Sequence, residues 1–153
     1  MCVPSDIIET RMNSFRAACA CRGVKVTHQR LEIYRELAST EEHPDADTIH
    51  GRVRERIPTI SRDTVYRNLK MLVDHGLISV VGKSHERLRF DANMGLHHHF
   101  VCVQCGLIRD FCSGHLIGVD VPAEAETFGA PLSVHLEVKG VCKSCQGLKS
   151  QNR

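Results

Sequence analysis

The chain has 153 residues and a mass of 17.1 kDa, room for one ordinary domain or two small ones. Apolar residues at 42 % and charged residues at 25 % are globular proportions and exclude a disordered chain. The net charge of +2 is too small to name a partner, and 5 % aromatics without Trp argue against a base- or sugar-stacking surface.

Charge and cysteine are unevenly spread. Residues 1–90 hold 15 Lys/Arg against 12 Asp/Glu, whereas residues 91–153 hold 5 against 6 and five of the eight cysteines. No apolar run approaches the roughly 18–20 residues that span a bilayer. The first twenty residues lack a continuous apolar stretch, so no signal peptide is expected and the location read from the sequence is cytoplasmic, without a membrane partner. In that compartment eight cysteines point to metal ligands or free thiols rather than disulfides.

Residues 1–5 and 147–153 read as loose ends. From Asp6 to about Cys21, Ile8, Met12, Phe15 and Cys19 recur at helical spacing, and Gly23 ends the helix. Thr27 caps a second helix with Leu31, Tyr34 and Leu37 inward. A third starts after Asp45 and runs through Ala46, Ile49 and Val53 towards Arg56. After the turn Ile57-Pro58-Thr59-Ile60, Ser61 caps a fourth helix over 62–75, with Gly76 as its left-handed stop. Val65, Leu69, Leu72 and Val73 form its apolar stripe. Arg67 and Lys70 fall on the opposite face with Tyr66 on the flank; together with Arg62 and Thr64 they are the candidate DNA contacts. Two helices joined by about four residues, the second with an outward basic face, read as a helix-turn-helix. Strands at Ile78–Val81 and Arg87–Phe90, with a turn at Gly82-Lys83-Ser84, add a wing.

Cys102-Val-Gln-Cys105-Gly106 and Cys142-Lys-Ser-Cys145-Gln-Gly147 are two CxxC knuckles 36 residues apart. A CxxC turn brings two thiolates to one tetrahedral ion, and two such turns complete a closed four-sulfur zinc site of structural role. Strand-like patterns at Phe100–Cys102, Leu107–Phe111 and Leu132–Val138, with a helical or loop insert near 121–130, predict a small mixed sheet serving dimerisation. Cys2, Cys19, Cys21 and Cys112 read as ordinary buried or surface thiols.

Leu96-His97-His98-His99-Phe100 precedes the first knuckle. On a strand, His97 and His99 share one face and His98 takes the other. Asp91 closes the wing, Asp110 follows the first knuckle, and His43 precedes Pro44. Imidazoles with carboxylates suit Fe(II), Mn(II), Co(II) or Zn(II) rather than a soft ion. Spacing alone singles out only the His97/His99 pair.

Thr27-His-Gln-Arg30, His43-Pro44 with Ala46-Asp47, Ser61-Arg-Asp-Thr-Val-Tyr-Arg-Asn-Leu69, His97-His-His99, Cys102-x2-Cys105-Gly106 with Asp110-Phe111, and Cys142-x2-Cys145 follow one another in this order. On these segments, residues 10 to 146 resemble the ferric uptake regulator family of metal-dependent repressors. The resemblance implies an α+β fold: a winged-helix DNA-binding domain over 1–91, then a small metal-binding α/β dimerisation domain over 92–153 stapled by zinc at Cys102, Cys105, Cys142 and Cys145. It implies a homodimer on a palindromic double-stranded operator, and a regulatory metal, Fe(II) or Mn(II), at His43, Asp91, His97, His99 and Asp110. An ion held from both domains would set the separation of the reading helices. Asp91 and Asp110 resemble the peroxide-sensing branch, in which iron-catalysed oxidation falls on histidines such as His43 and His97. Phe100 and Val134 stand where members with a fuller metal complement carry Asp and His. The alternative within the family is an iron-responsive repressor without peroxide sensing. A metalloenzyme is disfavoured because no base or nucleophile is placed beside the cluster, so the chain is read as not an enzyme; a thiol switch at the zinc cysteines was the remaining competitor.

Overall fold

The computed structural model describes residues 3–84, 87–114, 121–131 and 134–150. The chain divides into two compact units, Met1–Met94 and Gly95–Arg153.

In the first unit each helix begins where a side chain supplies an acceptor for an orphan amide. The exception is α1, Ser5–Cys21, which starts after Pro4. The Thr27 hydroxyl accepts from the Arg30 amide and opens α2, His28–Ala38. Asp45 accepts from the Thr48 amide at 2.8 Å and opens α3, Ala46–Arg54. Ser61 accepts from the Thr64 amide at 3.1 Å and opens α4, Arg62–Asp74. Gly76, at φ +62°, closes α4, and the Leu77 amide donates to the Leu72 carbonyl. Helical stripes of Met12, Phe15 and Cys19, of Ile33 and Leu37, of Ile49 and Val53, and of Val65, Leu69 and Leu72 fill one core. Phe15 stacks on Tyr34 with ring centroids 3.9 Å apart. Burial raises the Cys19 thiol pKa, in keeping with an inert core thiol; Cys21 and Cys112 are exposed.

Strands β1, Ser79–Ser84, and β2, Arg87–Asp91, form the antiparallel wing, with Ser79 opposite Asp91 and Ser84 opposite Arg87. The turn expected at Gly82–Ser84 is therefore strand. Gly82, at φ +66°, lies in the register shift between Val80 and Lys83, so its left-handed backbone makes a bulge rather than a hairpin turn.

The second unit is a three-stranded sheet of order β4-β3-β5, built from β3 His98–Cys102, β4 Ile108–Phe111 and β5 Glu137–Gly140. β3 runs antiparallel to β4 and parallel to β5, the mixed sheet expected. A four-residue α5, Ala123–Glu126, occupies the expected insert, and α6 spans Lys143–Ser150.

Three boundaries differ from expectation. β5 starts at Glu137, five residues later than read, and Leu132 and Ser133 lie outside the described residues. At its end Gly140 packs under the Phe100 ring, which a Cβ there would meet at 2.9 Å. The C-terminal end is not loose at 147, because α6 continues to Ser150; residues 151–153 lie outside the description. At the other end Val3 is buried and its amide donates to the Ser39 carbonyl, while Met1 and Cys2 lie outside.

One polar clamp ties α2 to the end of α3. Arg56 donates from Nε to Glu32 and from Nη2 to Glu36, both at 2.5 Å. The two carboxylates are one turn apart and buried, so without the guanidinium they repel each other away from water. Arg56→Ala should lower stability to urea by about 1–3 kcal/mol, and adding Glu32→Gln with Glu36→Gln should recover part of the loss.

Candidate metal centres and nucleic-acid face

Basic side chains line the outward side of α4. Arg62, Arg67 and Lys70 each leave more than three fifths of the side chain exposed, and Tyr66 is half exposed on the flank. Thr64 faces the cap, its hydroxyl 2.8 Å from that of Ser61. A groove of about 590 Å³ lies between α4 and the wing, with Val73, Val80 and Leu88 on its walls and Arg67, Lys70 and Arg87 at its rim. Arg30 and Arg87 border this face although the sequence reading did not count them among its contacts. Arg30 donates from Nε to the Asn68 side-chain oxygen at 3.0 Å, and Asn68 in turn donates to the Thr64 carbonyl. The Thr27-His-Gln-Arg30 motif carried that signal.

The four knuckle cysteines converge, their sulfurs within 4.8 Å of one another. Cys102 ends β3, Cys105 lies on the turn beyond it, and Cys142 and Cys145 flank the start of α6. Gly106, at φ +71°, lets its amide return to the Cys102 carbonyl at 2.9 Å and closes the first knuckle. The Cys105 and Cys142 sulfurs are 3.7 Å apart, against about 3.8 Å for the edge of a tetrahedron with Zn–S near 2.3 Å. The set therefore fits Zn(II). Backbone amides, first that of Cys105 and then that of Cys142, point at the Cys102 sulfur and draw its pKa down to about 6. Cys145, beside the Cys142 and Cys105 sulfurs, is pushed up to about 12. Cys102 can thus meet an ion as thiolate near neutral pH, whereas Cys145 must release a proton to it.

The candidate regulatory ligands form one group in each unit. In the first, His43 and Asp91 are buried with Nε2 and Oδ2 3.4 Å apart. The loop bearing His43 is sewn to β2. Arg89 donates from Nε to the His43 carbonyl and from Nη2 to the Glu42 carbonyl at 3.0 Å, and the Phe90 amide donates to the Pro44 carbonyl at 3.2 Å. His43 holds φ +50°, a costly backbone for a non-glycine residue. The Asn93 amide donates to Asp91 at 2.7 Å, which fixes the other partner.

In the second unit, His97 and His99 do share one face, with Nε2 atoms 2.9 Å apart. Two cis ligands at about 2.1 Å would stand about 3.0 Å apart. The Asp110 Oδ1 atom lies 3.3 Å from His99 Nε2 and 3.8 Å from His97 Nε2. His97 Nδ1 is 2.7 Å from the Gly95 carbonyl, a contact that only an N–H can make, so Nε2 is the nitrogen left for an ion. His98 points the other way: its Nδ1 accepts from the Leu136 amide, and its ring lies 5.6 Å from Phe111. Two imidazoles and a carboxylate meeting on one side form a nitrogen–oxygen set suited to Fe(II) or Mn(II).

A winged helix, a four-cysteine zinc site and hard nitrogen–oxygen ligands together define a metal-dependent DNA-binding regulator. The sequence model of the ferric uptake regulator family matches residues 21–136, and the chain belongs to that family. It is 35 % identical over 146 residues, 95 % of this chain and 99 % of the relative, to the peroxide-responsive repressor PerR of Staphylococcus aureus. Its structure is similar to that of the Helicobacter pylori ferric uptake regulator Fur, which has three functional metal binding sites. The TM-score is 0.71 at 25 % identity, with 91 % of this chain and 93 % of that one covered. The ferric uptake regulator of Francisella tularensis, solved with iron, gives a TM-score of 0.65 at 28 % identity, covering 81 % and 96 %. Proteins of this family are metal-dependent transcription regulators that bind DNA. Among the described residues no helix is long and apolar enough to cross a membrane.

The thiol geometry sets an expected outcome. Zinc uptake by the chelator-stripped protein should release protons, so its affinity should fall as pH is lowered towards 6. Cys102→Ser should lose the zinc and melt the second unit while circular dichroism still reports the helices of the first. A variant that keeps one zinc per chain would contradict the four-sulfur site.

Proposed function

We propose that the chain is a homodimeric repressor of a palindromic operator that peroxide switches off. The observation that carries this reading is Asp110 beside His97 and His99 in a chain 35 % identical, along 95 % of its length, to a peroxide-responsive repressor. Residues 1–91 bind DNA, with Arg62, Thr64, Tyr66, Arg67 and Lys70 facing the duplex. Residues 92–153 dimerise and bind metal. Cys102, Cys105, Cys142 and Cys145 hold zinc and keep that part folded. His43, Asp91, His97, His99 and Asp110 hold one regulatory Fe(II) or Mn(II), which makes operator affinity depend on metal.

Fe(II) held by these residues would lend one electron to open the peroxide O–O bond and regain it as the ring is oxidised. Arg89 and the Gly95 carbonyl hold His43 and His97 in place, so the same ring carbons meet the oxidant each time. One peroxide oxygen joins a ring carbon in place of hydrogen, and the other leaves as water. The altered ring is a poorer ligand, the metal is lost and the operator is released. The zinc thiolates are spared, because a closed d¹⁰ site offers peroxide neither an electron nor an open position. An iron-responsive repressor without peroxide sensing is the second reading, favoured by the likeness to the Fur structures.

Mass spectrometry separates the two. The Fe(II) protein given a low dose of peroxide should gain one oxygen on His43 or His97, and the Mn(II) protein should not. Asp110→Glu should keep metal-dependent binding yet oxidise far more slowly, because the longer carboxylate reaches a position peroxide needs. An unmodified Fe(II) protein would favour the iron-responsive reading. On DNA, Arg67→Ala should weaken operator binding by about 1–3 kcal/mol if the side chain reads a base. Lys70→Ala should weaken operator binding and flatten its salt dependence; unchanged binding in both variants would move the interface off α4.

A further inference from the structure

The basic side chains of α4 are all engaged already. Arg67 lies 2.8 Å from the Asp63 carboxylate one turn back, and Lys70 lies 2.8 Å from Asp74 one turn on. Arg62 is bonded to Asp47 of α3. These are the three Lys/Arg residues of the helix. On the facing wing, Arg87 lies 3.2 Å from Asp45 and 3.6 Å from the same Asp47. A surface that grips any duplex needs free cations, since each phosphate contact releases a counterion. Here the cations of α4 and Arg87 are instead all paired with carboxylates, while Arg30 at the border is bonded to Asn68.

Stability explains the match only in part. Asp47 and Asp63 lie in the first turns of α3 and α4, where the helix dipole favours a carboxylate, but the pairs on α4 are largely solvent-exposed, where water and salt screen them. Asp74 adds a negative charge at the negative end of the helix dipole, where it weakens the helix.

We propose that Asp47, Asp63 and Asp74 are specificity-determining residues, which keep the cations of α4 off non-cognate phosphates. The inference rests on the reading of α4 as the DNA-binding helix. To meet a phosphate of random DNA, each cation would have to give up its carboxylate at little gain and leave it facing the phosphate backbone, so it stays paired. On the operator, Arg67 exchanges its carboxylate for a base edge, where a bidentate contact discriminates between bases. The exchange therefore favours only the sequence that supplies such a partner. The shape of the ion pairs sets the division: Asp63 and Asp74 act on one cation each, whereas Asp47 spans Arg62 and Arg87.

The test uses the full-length, zinc-replete, Mn(II)-loaded protein, its own selected sequence recovered from a random duplex pool, and an unselected random duplex. Asp63→Asn and Asp74→Asn keep side-chain size and remove one charge each. On the random duplex each variant should steepen the plot of log affinity against log salt by about 0.9, the value of one added phosphate contact. Its preference for the selected sequence should fall several-fold. Asp6→Asn removes the same charge from α1 and should leave both slope and preference at the wild-type value. Folded Asp63→Asn and Asp74→Asn proteins with wild-type slope and preference would overturn the inference while the DNA reading stood. Equal steepening in Asp6→Asn would also overturn it, by showing an effect of net charge alone. A wild-type protein from which no sequence can be selected would overturn the DNA reading and this inference with it.

Discussion

The register of β3 governs the chemistry of the second unit. Side chains alternate along a strand, so a shift by one residue exchanges its two faces. With His99 opposite Asp110 and His98 opposite Phe111, the carboxylate meets the His97/His99 face and the aromatic ring meets His98. The same strand ends at Cys102, opposite Gly140, which carries the chain from β5 towards Cys142. A slipped pairing would take Asp110 from the imidazoles and pull the knuckles apart at once. Among the described residues the apolar material that holds the register is small: Ile108 in β4, and Phe100, Leu107 and Val141 around Cys102, Cys142 and Cys145. A core of that size does not sustain a sheet by burial alone. Four metal–sulfur bonds at the strand ends supply what the side chains lack. The soft site is thus the condition for the geometry of the hard one.

The first unit meets the opposite situation. Its apolar core is large enough to fix four helices, and its polar contacts do positioning instead. Arg89 holds two carbonyls of the His43 loop, and Pro44 and Asp45 are tied to β2 by further backbone contacts. These bonds offset the left-handed backbone at His43 and bring its ring to Asp91 at the end of the same strand. Asp45 and Asp47, two and four residues beyond His43, then reach Arg87 of the wing and Arg62 of α4. A short segment therefore touches a candidate metal ligand, the wing and α4.

What could be read in advance follows the range of the interactions. Caps at Thr27, Asp45 and Ser61 act within three residues, and the helices they open were legible from pattern. The CxxC knuckles and the alternation of His97 and His99 are equally local. Gly82 misled because glycine favours a turn and a bulge alike, and the choice rests on the partner strand. The start of β5 at Glu137 is set by its pairing with His99, thirty-eight residues away in sequence, and no periodicity shows it. His43 and Asp91 were suggested by resemblance rather than spacing, because their approach depends on Arg89 binding a loop forty-six residues distant. Arg30 was visible as part of a motif, but its place beside α4 comes from helix packing.

The two ligand sets also differ in what they expose to chemistry. Four thiolates close the coordination of a d¹⁰ ion, which then has no electron to give and no position to open. His97, His99 and Asp110 come from one side only, so an ion held by them keeps room for other ligands. Neither set could replace the other. A redox-active ion at the strand ends would expose the fold itself to oxidation, whereas zinc among the imidazoles would have no electron to give. With the inert ion where register is decided and the open ligand set at the other end of the strand, what holds the sheet together is separated from what stays open to further ligands.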